Sequence, residues 1–133
     1  MKNKLLLLVF LGFYLGLSSC ANTNTYGEGK ELYEENCANC HIEDGSGVGE
    51  LIPPLAKSDY LKKVDLDIAC IIRYGLKGKI TVNGIEYEHE MPPHKKLSEV
   101  EIANIANYIH NSWGNKREFI QLEDIKNKLK SCE

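Results

Sequence analysis

Residues Cys37-Ala38-Asn39-Cys40-His41 place two thiols and an imidazole within little more than one helical turn. Cysteines three apart lie on one face of a helix, so both sulfurs can reach the same object, and the histidine that follows can turn its ring toward it. Three chemistries use a C-x-x-C pair. They are a structural zinc site, a thiol–disulfide exchange centre, and attachment of a haem through two thioethers with the adjacent histidine on iron.

The rest of the chain separates these readings. A zinc site wants a second pair at similar spacing, but Cys70 and Cys132 stand alone and far apart. A thioredoxin-like motif follows a strand in a βαβ pattern. Here the preceding segment, Gly29 to Asn36, reads as a helix, and no such alternation follows. The pattern therefore points to one haem held by Cys37 and Cys40, with His41 as the proximal iron ligand. Beyond position 20 the one methionine is Met91, in Met91-Pro92-Pro93, just ahead of a strong helix. A loop thioether fifty residues past His41 suits the second axial position; packing in the core is the plainer alternative. His89, His94 and His110 are the rival ligands. The first two read as solvated loop residues and His110 as a surface residue of the last strong helix.

Several elements must position these groups. Ser98-Glu99-Val100-Glu101 reads as a capping box. Val100, Ile102, Ile105, Ala106 and Ile109 follow it as an apolar stripe of a helix. Asp67 to Tyr74 is an apolar helix ending at Gly75, and Phe119 to Lys130 carries Ile120, Leu122, Ile125 and Leu129 at near-helical spacing. Ile80 to Tyr87 reads as a β-hairpin whose Asn83-Gly84 pair supplies the positive φ values of a type I′ turn. It either covers the open side of the cofactor or packs elsewhere.

From about Gly27 to Gly114 the chain resembles the small bacterial monohaem class I cytochromes c. The C-A-N-C-H run, Gly29 and Tyr33 resemble that family's N-terminal helix and attachment site. Asp44-Gly45-Ser46-Gly47 resembles the loop after it. Pro53-Pro54-Leu55 resembles the segment whose proline carbonyl accepts a hydrogen bond from the proximal histidine, which makes Pro53 the partner of His41 Nδ1. The resemblance implies a mostly α, cytochrome c fold in which N- and C-terminal helices cross over the haem, with Gly29 and Tyr108 at their closest approach. The hairpin and a C-terminal extra helix depart from the minimal pattern. Trp113 reads as core or haem-edge packing, and Arg73 either meets a haem propionate or is a solvated charge.

The ends of the chain carry further chemistry. Lys2 and Lys4 precede an apolar run from Leu5 to Leu17, too short to span a bilayer comfortably but suited to an export signal. It ends in Leu17-Ser18-Ser19-Cys20, which resembles the bacterial lipoprotein signal, with Cys20 lipidated as the first mature residue. The expected organisation is a signal peptide over 1–19, a lipidated tether over 20–25 and one domain over 26–133, its core at 27–114 and an extension at 115–133. Export to an oxidising compartment makes Cys70 and Cys132 a natural disulfide; two free thiols are the alternative. The bridge would close a loop of roughly 60 residues, worth about 4 kcal/mol in the chain-entropy model.

Composition sets the outer bounds. The 133 residues suit one domain, and sixteen basic against nineteen acidic side chains give nucleic-acid binding no electrostatic support. Removal of residues 1–19 leaves fourteen basic residues against nineteen acidic ones, a net charge of −5. With both axial positions filled there is no site for a substrate, and no nucleophile or acid–base pair stands out. The expectation is a monomeric, lipid-anchored, periplasm-facing carrier of single electrons that meets redox partners through their basic docking patches, and not an enzyme. A fixed haem subunit of a dehydrogenase or reductase complex, a haem sensor and a thiol–disulfide oxidoreductase are the competing readings.

Overall fold

A computed structural model describes residues 25–132. The expected signal peptide over 1–19, the expected lipidation of Cys20 and all but the last residue of the expected tether over 20–25 lie outside them. Helix α1 (Gly27–Asn36) runs into the motif; Cys37 interrupts it, and one further turn, α2 (Ala38–His41), carries Cys40 and His41. Helix α5 (Glu99–His110) packs across α1, and Gly29 makes that contact possible. A Cβ on Gly29 would overlap the Asn104 carbonyl oxygen and come within 2.9 Å of the Tyr108 Cβ, the close approach expected of this pair. Tyr33 is fully buried beside it, with ring centroids 5.4 Å from Tyr108 and 5.0 Å from Trp113. Trp113 thus packs on the core.

The start of α5 is set by the expected capping box. Ser98 Oγ accepts from the Glu101 amide at 3.3 Å, and Glu101 Oε2 accepts from the Ser98 amide at 2.6 Å. These bonds hold the Glu101 carboxyl below its ordinary pKa. Ile102, Ile105, Ala106 and Ile109 are buried. Val100 does not join them and is 48% exposed. Two residues on a helix are about 200° apart, so Val100 falls on the side opposite Ile102. His110 also departs from expectation. It is 4% exposed, with Nε2 3.3 Å from the Asp65 carbonyl oxygen, so an earlier segment of the chain meets this side of α5.

Between the crossing helices run α3 (Asp59–Val64), a 3₁₀ turn (Asp65–Asp67) and α4 (Ile68–Tyr74). Ser58 caps α3, its Oγ accepting from the Leu61 amide at 3.3 Å. Strands β1 (Ile80–Val82) and β2 (Ile85–Tyr87) form the expected antiparallel hairpin, with Ile80 opposite Tyr87 and φ values of 51° at Asn83 and 83° at Gly84. Its tip is pinned to α3. Asp59 Oδ1 accepts from the Asn83 amide at 2.7 Å, and Asn83 Oδ1 accepts from the Asp59 amide at 3.1 Å.

The C-terminal segment returns over α5. Asn107, buried inside that helix, donates through Nδ2 to the Ile120 carbonyl at 2.9 Å and accepts from the Ile120 amide at 2.8 Å. This two-way pairing holds residue 120 outside the final helix, so α6 spans Leu122–Lys130 rather than beginning near Phe119. Ile125 and Leu129 are buried, Arg117 Nε donates to Asp65 Oδ1 at 2.6 Å, and Lys128 pairs with Asp67. Cys132 is joined to Cys70 of α4 by a disulfide, with Cα atoms 5.6 Å apart.

Burial lowers the His110 pKa, and its contact with the Asp65 carbonyl opposes this. The unfolded chain, with a histidine pKa near ~6.5, therefore binds more protons in the window between the two values. The contribution is full above about pH 6.5 and is lost as pH falls toward the depressed folded value. Denaturant unfolding should show stability declining as pH falls below about 6.5, and His110→Gln should flatten that slope. An unchanged slope in the variant would clear His110 of this role.

Candidate cofactor cleft

Cys37, Cys40 and His41 open onto a cleft whose free volume is about 990 Å³ including its mouth. Its walls are apolar: Leu61 and Val64 of α3, Ile68, Ile71 and Ile72 of α4, and Ile80, Val82 and Tyr87 of the hairpin. Met91 also lines it. Of the two positions open to the hairpin in the sequence, the structure selects the one over the cleft.

His41 is oriented from behind. Its Nδ1 lies 3.3 Å from the Pro53 carbonyl oxygen. The adjoining segment is fixed by the Leu55 and Ala56 amides donating to the Gly45 carbonyl at 2.8 and 2.9 Å, and by Asn115 Nδ2 donating to the Leu55 carbonyl at 2.8 Å. Burial lowers the His41 pKa, which favours the neutral ring. With Nδ1–H donating to Pro53, Nε2 carries the lone pair that a metal needs. The loop leaving the motif is held by the Tyr33 hydroxyl, which donates to the Ile42 carbonyl at 2.7 Å. Cys37 is buried, and burial, with Cys40 nearby, pushes its thiol up to about 12; Cys40 is exposed at the rim.

Met91 is held through its backbone. Its amide donates to the Leu76 carbonyl at 2.9 Å and its carbonyl accepts from the Leu76 amide at 3.1 Å, just beyond α4. Gly75 permits this, with φ at 80° and no room for a side chain: a Cβ there would overlap the Met91 carbonyl oxygen. Among the rival ligands, His89 borders the cleft but is exposed. His94 is not among the lining residues and donates its amide to the Ile72 carbonyl at 3.0 Å, while His110 contacts Asp65. Arg73 does not line the cleft either. Its Nη1 donates to the Lys95 carbonyl at 2.9 Å, so this side chain ties the post-Met91 loop to α4.

These donors suit a haem. Two sulfurs, an oriented imidazole and a thioether share one apolar cleft, and among the described residues no group of three His, Cys, Asp or Glu side chains gathers to hold a metal by itself. The Asn107, Asn115 and Asp59–Asn83 contacts, which sequence reasoning missed, carried one local signal: a polar residue set in the apolar stripe of α5.

Helices crossing over such a cleft are the architecture of a c-type cytochrome domain. The chain belongs to the cytochrome c family, whose model, described as "Cytochrome c", matches residues 26–113. It is 33% identical over 94 residues to cytochrome c-552 of Thermus thermophilus, covering 68% of this chain and 71% of that protein. It is 36% identical over 90 residues to the cytochrome c subunit of the quinone alcohol dehydrogenase of Gluconobacter oxydans, covering 65% of this chain and 18% of that subunit. The cbb3-type cytochrome c oxidase subunit CcoP of Rhodobacter capsulatus is 32% identical over 88 residues, with 65% and 29% covered. The chain thus matches less than a third of the length of these two complex subunits. Family membership brings covalently bound haem c, and one haem suits a domain of this size.

Gly75→Ala should cost about 1–3 kcal/mol of stability, through the strained positive φ and the overlap with Met91. Denaturant midpoints measure the loss. A wild-type midpoint would show that the Met91 loop yields freely.

Proposed function

We propose that this protein is a lipid-anchored carrier that passes single electrons between redox proteins at a bacterial membrane surface, facing the periplasm. The observation that supports it best is the convergence of Cys37, Cys40, His41 and Met91 on one apolar cleft. Bound haem supplies a one-electron ferric/ferrous couple. Cys37 and Cys40 would anchor the group, and His41, braced by Pro53, and Met91, braced by Leu76, would ligate its iron. The hairpin and α4 keep water from the site, which penalises the charged ferric state and raises the potential. With His41 and Met91 both on the iron, no position there would be left for a substrate, which supports a carrier rather than an enzyme.

The anchor rests on Cys20 at the end of the apolar leader. Among the described residues no helix is long and apolar enough to cross a membrane; acyl chains on Cys20 would supply the attachment. The mature net charge of −5 favours encounter with a basic patch on the partner through electrostatic steering. A fixed haem subunit is the second reading, supported by relatives named as subunits of a quinone alcohol dehydrogenase and a cbb3-type oxidase. Elution as a free monomer that reduces several acceptors argues for the carrier.

Visible spectra in both redox states test the core of the reading. The ferric protein should show a far-red methionine–iron band, and the ferrous protein should be indifferent to carbon monoxide. Met91→Ala should abolish the band and lower the potential; a band that survives assigns the ligand elsewhere. Separately, Cys20→Ser should move the protein from the membrane fraction to the soluble fraction. Retention at the membrane would remove the lipid anchor.

A further inference from the structure

We propose that the C-terminal extension, residues 115–132, is a positioning device for Met91, acting through α4; this rests on the reading of Met91 as the sixth iron ligand. The extension lies beyond residues 26–113, which the family model matches. Helix α4 has seven residues, far short of the roughly 12–15 that a helix needs to stand alone, so its position is set by what it is tied to. One tie is covalent, from Cys70 to Cys132 at the end of the extension. The extension is itself fastened to α5 by the two-way bond between Asn107 and Ile120, whose side chains are 2% and 1% exposed.

The far end of α4 controls the methionine. Leu76 exchanges both backbone bonds with Met91, the Ile72 carbonyl accepts from the His94 amide at 3.0 Å, and Arg73 donates to the Lys95 carbonyl at 2.9 Å. Three attachments thus join the loop 91–95 to α4 and to Leu76 just beyond it, and the disulfide holds the same helix at Cys70. Gly75 leaves no slack between them, since the Met91 carbonyl fills the space where a side chain would begin. A loosened α4 therefore carries the Met91 backbone with it. The fraction of molecules with the sixth position open rises, and an external ligand for iron binds more tightly in proportion to that fraction.

The test titrates the ferric holoprotein with imidazole well below its unfolding temperature, comparing wild type, Cys132→Ser, Met91→Ala and the double variant. Cys132→Ser should bind imidazole about tenfold more tightly than wild type, with unchanged far-ultraviolet circular dichroism. In the Met91→Ala background the same substitution should change imidazole affinity by less than about twofold, because no methionine remains to be displaced. That contrast separates positioning from general destabilisation. Equal affinities in wild type and Cys132→Ser would overturn the proposal, as would a tenfold gain that persists without Met91. A wild-type protein with no methionine–iron band, and with the imidazole affinity of Met91→Ala, would instead overturn the ligand assignment and the proposal with it. Should Cys132→Ser fail to accumulate, folded wild type whose disulfide has been opened by a phosphine and alkylated, with the iron then reoxidised, takes its place under the same expectations.

Discussion

The contact between Gly29 and the backbone of α5 is the constraint on which the site depends. Because α1 continues directly into Cys37, the depth to which it settles on Asn104 and Tyr108 determines where both thiols and His41 begin. Tyr33, one turn further along, carries the same registration past the motif: its ring packs on Tyr108 and Trp113, and its hydroxyl holds the Ile42 carbonyl. A close helix crossing leaves few alternative arrangements, since interiors packed at crystal-like density resist small shifts. The attachment site therefore inherits the rigidity of the core.

The opposite side of the cleft is assembled from short pieces. Helices α3 and α4 and the two three-residue strands would be marginal in isolation, and each is fastened by a named interaction. Asp59 and Asn83 join the hairpin to α3, Leu76 joins α4 to Met91, and Cys132 joins α4 to the extension. Such a wall can be apolar on its inner face without leaving buried polar side-chain atoms unpaired among the described residues. An apolar lining, with His41 and Met91 each held by contacts behind them, is a combination that suits a one-electron cofactor.

Local readings succeeded where the physics is local. A capping box, an Asn-Gly turn and a C-x-x-C-H run each depend on residues within one turn of each other, so Ser98, Asn83 and Cys37 could be interpreted in place. Misjudgements arose where a distant segment decides exposure. His110 is polar, and its burial against the Asp65 carbonyl, forty-five residues away in the chain, has no local signal. For Arg73, left open between a propionate contact and a solvated charge, the bond to the Lys95 carbonyl twenty-two residues away is likewise invisible in the sequence. Asn107 was overlooked for the same reason, since its partner Ile120 approaches only in the folded chain.

By itself, then, the amino-acid sequence determined the chemistry available: two thiols and an imidazole at a spacing that suits a haem, a lone loop methionine, and a mostly helical chain with one hairpin. Those depend on covalent spacing and short-range periodicity. The tertiary structure alone decided which of the histidines stands near the cleft, which face of the hairpin closes it, and what holds Met91 in place. These are matters of contact between segments that the chain brings together from tens of residues apart, where packing and exclusion of water outweigh local preference.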